Sequence, residues 1–206
     1  MINLPPRTKE RLIILERLLE RLIEQQEDKN ITSKKLSALT GWSEDTIRRD
    51  ILHLNMKAGS KSGYSIVELK SAIDTALGIG NSRQKHNCCI VGLDKLGSAL
   101  LENSIFENSP FALVAGFDTN VNRIEMMKSS FPLFATLDLE IKIPAMKIEY
   151  AVLAVSDDRA QQIADRLVSA GIKGIVNYTN VILHLSNNIR VRNVNTVLML
   201  KEMYTD

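Results

Sequence analysis

Cys88-Cys89-Ile90-Val91-Gly92-Leu93-Asp94-Lys95-Leu96-Gly97 decides how this chain is read. An apolar run too short for a helix runs into a glycine, and a helical pattern starts at Leu96, so the stretch reads as buried strand, tight turn, helix. Asp118 lies 21 residues beyond Gly97, at the end of the next predicted strand. In that setting glycine spacing is a candidate dinucleotide fingerprint. Gly92 permits the tight turn, and Gly97 lets helix and sheet approach closely. Asp118 is placed to accept from a ribose 2′-hydroxyl and to repel a 2′-phosphate, which favours NAD over NADP. Leu93, Asp94, Lys95 and Leu96 complete the turn. Asp94 stands where the fingerprint has its middle glycine, the one that lets backbone reach the pyrophosphate. A carboxylate about 4 Å from a phosphate costs roughly 4 kcal/mol at an effective dielectric near 20, unless it swings away or Lys95 compensates. A helix cap is its structural alternative.

Working outward, strands are expected at 111–117, 150–155 and 173–177, with a helix over 158–170 whose inward residues are Ile163, Leu167 and Val168. Alternation of this kind means a parallel sheet covered on both faces. Asn177 and Tyr178, at the end of the last of these strands, are candidate pocket residues. Residues 124–149 suggest one short strand and little regular helix.

The N-terminal part has the helical period. A helix over 10–27 carries Leu12, Leu15, Leu19, Leu22 and Ile23 on one stripe. A short helix opens at Thr32-Ser33-Lys34-Lys35, with Leu36 and Leu39 inward, and stops at Gly41. Ser43 caps the next, which turns Ile47, Ile51, Leu52 and Leu54 inward and leaves Arg48, Arg49 and His53 outside. Two short helices around a glycine turn form a helix-turn-helix pattern, in which the second helix enters the major groove. The basic, glycine-rich segment 57–64 fits a wing. Residues 66–77 form a further helix, with Val67, Leu69, Ile73 and Leu77 apolar, and 80–87 read as a linker.

Composition sets the limits. Of 206 residues, 45% are hydrophobic and 24% charged, which excludes wholesale disorder. No apolar run is long enough to span a bilayer, and the first residues lack the features of a signal peptide, so a cytoplasmic protein is expected. The two cysteines are adjacent, which rules out a disulfide framework or a four-cysteine zinc site. Window 29–64 holds seven basic residues against three acidic ones, an excess that suits a phosphate backbone. Lys34, Lys35, Ser43, Thr46, Arg48, Arg49, Lys57, Lys61 and Tyr64 are the candidate DNA-binding residues. For an enzyme the chain offers little: His53, His86 and His184 have no convergent partners. Cys88 or Cys89 would be redox-reactive only with a lowered pKa, and Asp157-Asp158 suits capping.

The chain resembles the Rex family of redox-sensing transcriptional repressors over essentially its whole length. The motifs that carry this are Thr32-Ser33-Lys34-Lys35-Leu36, Ile47-Arg48-Arg49-Asp50, Gly63-Tyr64, Ile90-Val91-Gly92, Leu96-Gly97-Ser98-Ala99-Leu100 and Phe117-Asp118. The densest match runs from Ala164 to Asn177 and ends in Val191-Arg192-Asn193-Val194. The resemblance implies a winged-helix domain over 1–80, a Rossmann-like domain over 81–192 and a helix over 193–206 exchanged between the subunits of a homodimer. It further implies binding to palindromic double-stranded operators, with DNA released when NADH replaces NAD. Asp94 and the wing depart from the family pattern. So does Asn195, which stands at an acidic position whose implied partner matches Arg17. Two rival readings stay open: a DNA-binding regulator whose Rossmann domain has lost or changed its nucleotide response, and an NAD-dependent oxidoreductase.

Overall fold

Leucines at the helical period, with Pro6 at the first position, form α1 (Pro6–Glu24), which starts four residues earlier than the apolar pattern suggests. The structure, a computed structural model, describes residues 4–25, 29–56, 62–79, 85–101, 106, 109–186 and 188–205. The chain divides into two units, Met1–Arg83 and Gln84–Asp206.

In the first unit α1 is followed by β1 (Asn30–Ile31), α2 (Ser33–Thr40), α3 (Glu44–Leu52), β2 (Tyr64–Ser65) and α4 (Ile66–Leu77). Thr32, Ser43 and Ser65 each cap the following helix by accepting a backbone N–H three residues on. β1 and β2 pair antiparallel, with Ile31 opposite Tyr64. Leu12, Leu15, Leu19, Leu36, Ile47, Ile51, Leu69 and Ile73 pack as one core. Ile23, Leu39, Leu52 and Val67 are exposed, against expectation. Each lies one helical step or more off the buried stripe, and short helices turn only that stripe inward. Asp50 is buried in their place. Lys57 and Lys61, with most of the expected wing, lie outside the described residues.

The second unit runs β3 (His86–Val91), α5 (Lys95–Leu101), β4 (Phe111–Asp118), α6 (Val121–Met126), β5 (Leu133–Ala135), α7 (Leu139–Ala145), β6 (Ile148–Leu153), α8 (Asp157–Ser169), β7 (Gly174–Asn177), β8 (Arg190–Asn193) and α9 (Thr196–Thr205). The sheet order β5-β4-β3-β6-β7-β8, with every pairing parallel, is that of a doubly wound Rossmann fold. Cys88, Cys89, Ile90 and Val91 are buried, as strands covered on both faces require. Ala160, Ile163, Ala164 and Leu167 of α8 pack into the same core, whereas Val168 is only half-buried.

Three expectations change. β3 starts at His86, inside the expected linker, and the His86 ring lies against Phe111 and Tyr150. The stretch 124–149 contains a helix, α7, which buries Leu139 and Ile143 although Pro144 lies within it. His184 lies in an irregular segment rather than a strand. Burial pushes the Cys88 thiol up to about 12, and Cys89 higher still, which removes both as reactive thiols at neutral pH.

Candidate nucleotide site and nucleic-acid interface

The strand order reverses between β3 and β6, and a crevice opens there at the carboxyl ends of the strands. A cavity of about 370 Å³ occupies this place. Gly92, at the end of β3, has φ +94°, and a Cβ on it would lie 2.4 Å from the Ala154 carbonyl oxygen. A Cβ on Gly97 would lie 1.8 Å from the Gly92 oxygen. Both positions therefore admit only glycine, and the turn has the close strand–helix approach that a dinucleotide fold needs.

Gly92, Asp94, Lys95, Leu96 and Asp118 line the cavity. Leu93 is buried in the core and Gly97 is buried under the turn. Neither Asn177 nor Tyr178 lines it. The Asn177 amide nitrogen donates to the Val181 carbonyl and to Asn193 Oδ1, and its oxygen accepts from Thr179. This side chain holds the loop after β7.

Asp118 is 3% exposed, and its carboxylate accepts from the Leu93 N–H at 2.7 Å, the Asn120 N–H at 2.7 Å and Arg123 Nη1 at 2.8 Å. Burial pushes this carboxyl up, but the two amides and Arg123 outweigh it and hold it below the usual carboxylate range. The Asp94 carboxylate is 73% exposed and lies 3.5 Å from Arg123 Nη2. Its backbone carbonyl accepts the Ser98 N–H at the start of α5. The side chain thus leans toward a cation, and the full like-charge cost expected of it does not apply. Arg123 and Arg159, which sequence reasoning passed over, also line the cavity. Their signal was faint: Arg123 is a cation five residues past a strand-end aspartate, at the start of a short helix. Together with Lys95 they set three cations against Asp94 and Asp118.

In the first unit, Arg48 and Arg49 on α3, Ser43 just before it and Lys34 on α2 face solvent, while Lys35 and Thr46 are half-buried. Ser43 and Thr46 share a hydroxyl hydrogen bond of 2.9 Å. Arg48 pairs with Glu44 and Asp45 on its own helix, contacts worth only about 0.3–0.5 kcal/mol each and easily surrendered to a phosphate. Tyr64 packs against the core from β2. Asp50, the last residue of the Ile47-Arg48-Arg49-Asp50 motif, accepts from Thr8 Oγ1 at 2.9 Å and from Arg11 through Nε and Nη2 at 2.5 and 2.8 Å. This buried carboxylate fixes α3 on α1.

Arg17 is exposed on α1. Asn195 precedes α9, where its oxygen accepts the Leu198 N–H and its amide donates to Asn180. Asn180 in turn donates to Asp157 through its backbone and side chain.

A helix-turn-helix unit followed by a Rossmann unit with a fingerprint turn defines the class of two-domain transcription regulators. Residues 83–181 match the family described as "CoA binding domain", and residues 3–51 the one described as "Putative DNA-binding protein N-terminus". The redox-sensing transcriptional repressor Rex of Leuconostoc citreum is 34% identical over 93% of this chain and 87% of its own. That of Limosilactobacillus reuteri is 30% identical over 93% of this chain and 88% of its own. Among solved structures, a complex of RSP with β-NAD+ and operator DNA matches with TM-score 0.84 and 30% identity, covering 99% of this chain and 92% of that one. RSP is described as a Rex-family repressor. The chain belongs to the Rex family of redox-sensing transcriptional repressors.

Proposed function

We propose that this chain is a homodimeric repressor that binds a palindromic DNA operator through α3 and releases it according to the NADH/NAD balance sensed in the second unit. The observation that carries this reading is the likeness, across both units, to a solved relative holding β-NAD+ and operator DNA together. The DNA contacts fall to Ser43, Thr46, Arg48 and Arg49 on and before α3, to Lys34 and Lys35 on α2, and to Lys57, Lys61 and Tyr64 around the wing. In the second unit Gly92 to Gly97 would follow the pyrophosphate and Asp118 would mark the ribose end, with Asn177 and Tyr178 beyond the cavity's own lining. The nicotinamide supplies the redox state that is sensed, and the protein holds it without turning it over. A regulator rather than an enzyme fits a cavity in which Asp94 and Asp118 are both paired with Arg123. The domain limits proposed are 1–80, 81–192 and 193–206. A protein acting on operator DNA works in the cytoplasm; among the described residues no helix is long and apolar enough to cross a membrane.

Dimerisation is assigned to α9. Val197, Leu198, Leu200, Met203 and Tyr204 are all more than half exposed in the single chain, and none of its residues is buried. So short a helix is marginal alone in water and gains stability from a partner surface. Exchange between subunits would let Asn195 meet Arg17 of the second copy. Two-fold symmetry would then present two α3 helices to two half-sites.

The test is selection of an operator from random duplex DNA, followed by a salt titration. Changing Arg48 and Arg49 to Ala should weaken binding to every sequence and lower the salt slope by roughly one per lost phosphate contact. Failure to select any operator at low salt would refute the DNA reading.

A further inference from the structure

We propose that Asp157, Asn180 and Asn195 form a hydrogen-bonded relay that ties the start of α9 to the first turn of α8, and so links occupancy of the cavity to the holding of α9. This rests on the nucleotide reading above and assigns the residues through which that site reaches the helix given to dimerisation. Asp157 is the first residue of α8, and Ser156 before it and Arg159 after it line the cavity. Its own carboxylate meets the loop after β7, where it accepts the Asn180 N–H at 3.0 Å and the Asn180 side-chain amide at 3.1 Å. Asn180 Oδ1 accepts from Asn195 Nδ2 at 2.8 Å. Asn195 Oδ1 in turn accepts the Leu198 N–H at 3.0 Å, in the first turn of α9, and its backbone carbonyl accepts the Met199 N–H at 3.1 Å.

The chemistry of the two ends sets the orientation of both amides. A carboxylate only accepts, so Asn180 must turn its NH2 group to Asp157 and its oxygen to Asn195. A helix N–H only donates, so Asn195 must turn its oxygen to Leu198 and its NH2 group to Asn180. Donors and acceptors therefore alternate along one path from α9 to the charge of Asp157, and each link polarises the next. The Asn180 N–H and side-chain amide hold the Asp157 carboxyl below the usual carboxylate range. Pairing of β7 with β8 ends at Asn177 and Asn193, two residues short of Asn195, so beyond the sheet these side chains hold the entry to α9. An aspartate at 195 would cap α9 as well as asparagine does but could not donate to Asn180. If the Asn180 amide turned to donate to it, Asp157 would lose that donor. The amide by which Asn195 departs from the family pattern is thus the donor that the relay uses.

The test reads hydrogen exchange at the Leu198 and Met199 amides of the full chain, with and without NADH, beside NADH affinity by nicotinamide fluorescence. The links are exposed, so water competes for each and effects of severalfold are expected. Asp157→Ala should accelerate exchange at both amides about threefold, although its carboxylate bonds to neither, and should add nothing in an Asn180→Ala background. Asn195→Asp, which keeps the cap, should likewise make that exchange insensitive to Asp157→Ala. NADH should slow the exchange at least about threefold in the wild type and leave it unchanged in Asn180→Ala and Asn195→Asp, with NADH affinity altered no more than about threefold, as linkage requires. Equal acceleration by Asp157→Ala with and without Asn180 would overturn the relay, as would an NADH effect on α9 that survives Asn180→Ala. NADH that binds without changing α9 exchange in the wild type overturns the link to the cavity and leaves the nucleotide reading standing. If NADH does not bind, the nucleotide reading falls with that link, and the Asp157 and Asn180 variants alone uphold or overturn the tie between the helices.

Discussion

Asp118→Asn isolates what the buried carboxylate contributes to the second unit. The amide keeps the volume of Asp118 but can accept through only one of its two ends. Asp118 accepts three hydrogen bonds, two from backbone amides and one from Arg123, divided between both carboxylate oxygens. In the variant one donor must therefore face an NH2 group. Hydrogen bonds to a charged group contribute about 1.5–3 kcal/mol each, and neutral ones about 1 kcal/mol. Arg123 is a third exposed, so its share is discounted for solvent. The expected loss is about 2–4 kcal/mol. The protein's one tryptophan, Trp42, lies in the first unit, so its fluorescence reports that unit during urea unfolding. Hydrogen exchange at the Leu93 and Asn120 amides reports the second. Exchange at those amides should accelerate by the full loss, and the Trp42 transition should stay in place. The folded carboxyl sits below its unfolded value of about 3.9, so its stabilisation is complete above that pH and is lost as pH falls through the folded value. The difference between wild type and variant should thus be constant from neutral pH to about pH 5 and shrink in stronger acid. A loss under about 0.5 kcal/mol, or one independent of pH down to about pH 2, would refute this account.

Other outcomes follow from the same geometry. Because the Asp94 carboxylate is exposed and drawn to Arg123, Asp94→Gly should tighten NADH binding only about threefold, less than 1 kcal/mol; a hundredfold gain in a fluorescence titration would show that it faces the pyrophosphate. Asp50→Asn should lower the urea midpoint of the Trp42 transition by an amount equivalent to about 2–3 kcal/mol, because Arg11 and Thr8 lose their shared acceptor. An unchanged midpoint would mean that α3 does not depend on that contact. Removing 196–206, which spares β8, should yield a folded monomer in sedimentation; a truncated chain that remains a dimer would place the interface elsewhere.

Much of the fold was legible because its signals are local. Helix 66–77 agrees residue for residue with α4, since Ser65 caps it and Gly78 stops it. The caps at Thr32 and Ser43 and the stop at Gly41 are short-range chemistry of the same kind. The sheet was readable from its buried runs and from Gly92 and Gly97. α7 was not, because seven residues containing Pro144 have no intrinsic helical signal, and tertiary burial of Leu139 and Ile143 decides the matter. β8 reads Arg-Val-Arg-Asn, a mostly exposed edge strand without an apolar run. The candidate site was half legible. Gly92 and Asp118 were found from spacing, whereas Arg159 meets Thr119 forty residues away, a pairing that only the folded sheet creates.

Asp50 and Asp118 show why these missed contacts matter. Each is an aspartate 3% exposed, and each is held by an arginine from another element together with further donors. A buried ion pair contributes little net stability compared with an apolar pair of the same volume, but it tolerates only one arrangement of its partners. Asp50 applies that constraint to the seating of α3 on α1, and so to the direction in which Arg48 and Arg49 leave the surface. Asp118 applies it to the Leu93 amide, in the middle of the glycine turn, and to Asn120 at the entry to α6. In each unit the constrained backbone is the part that carries the candidate site. The more exposed partner, Arg11 in one unit and Arg123 in the other, retains contact with solvent. Arg123 therefore couples the geometry of the turn to whatever occupies the cavity, since a ligand anion that competes for it acts on the same carboxylate that positions Leu93.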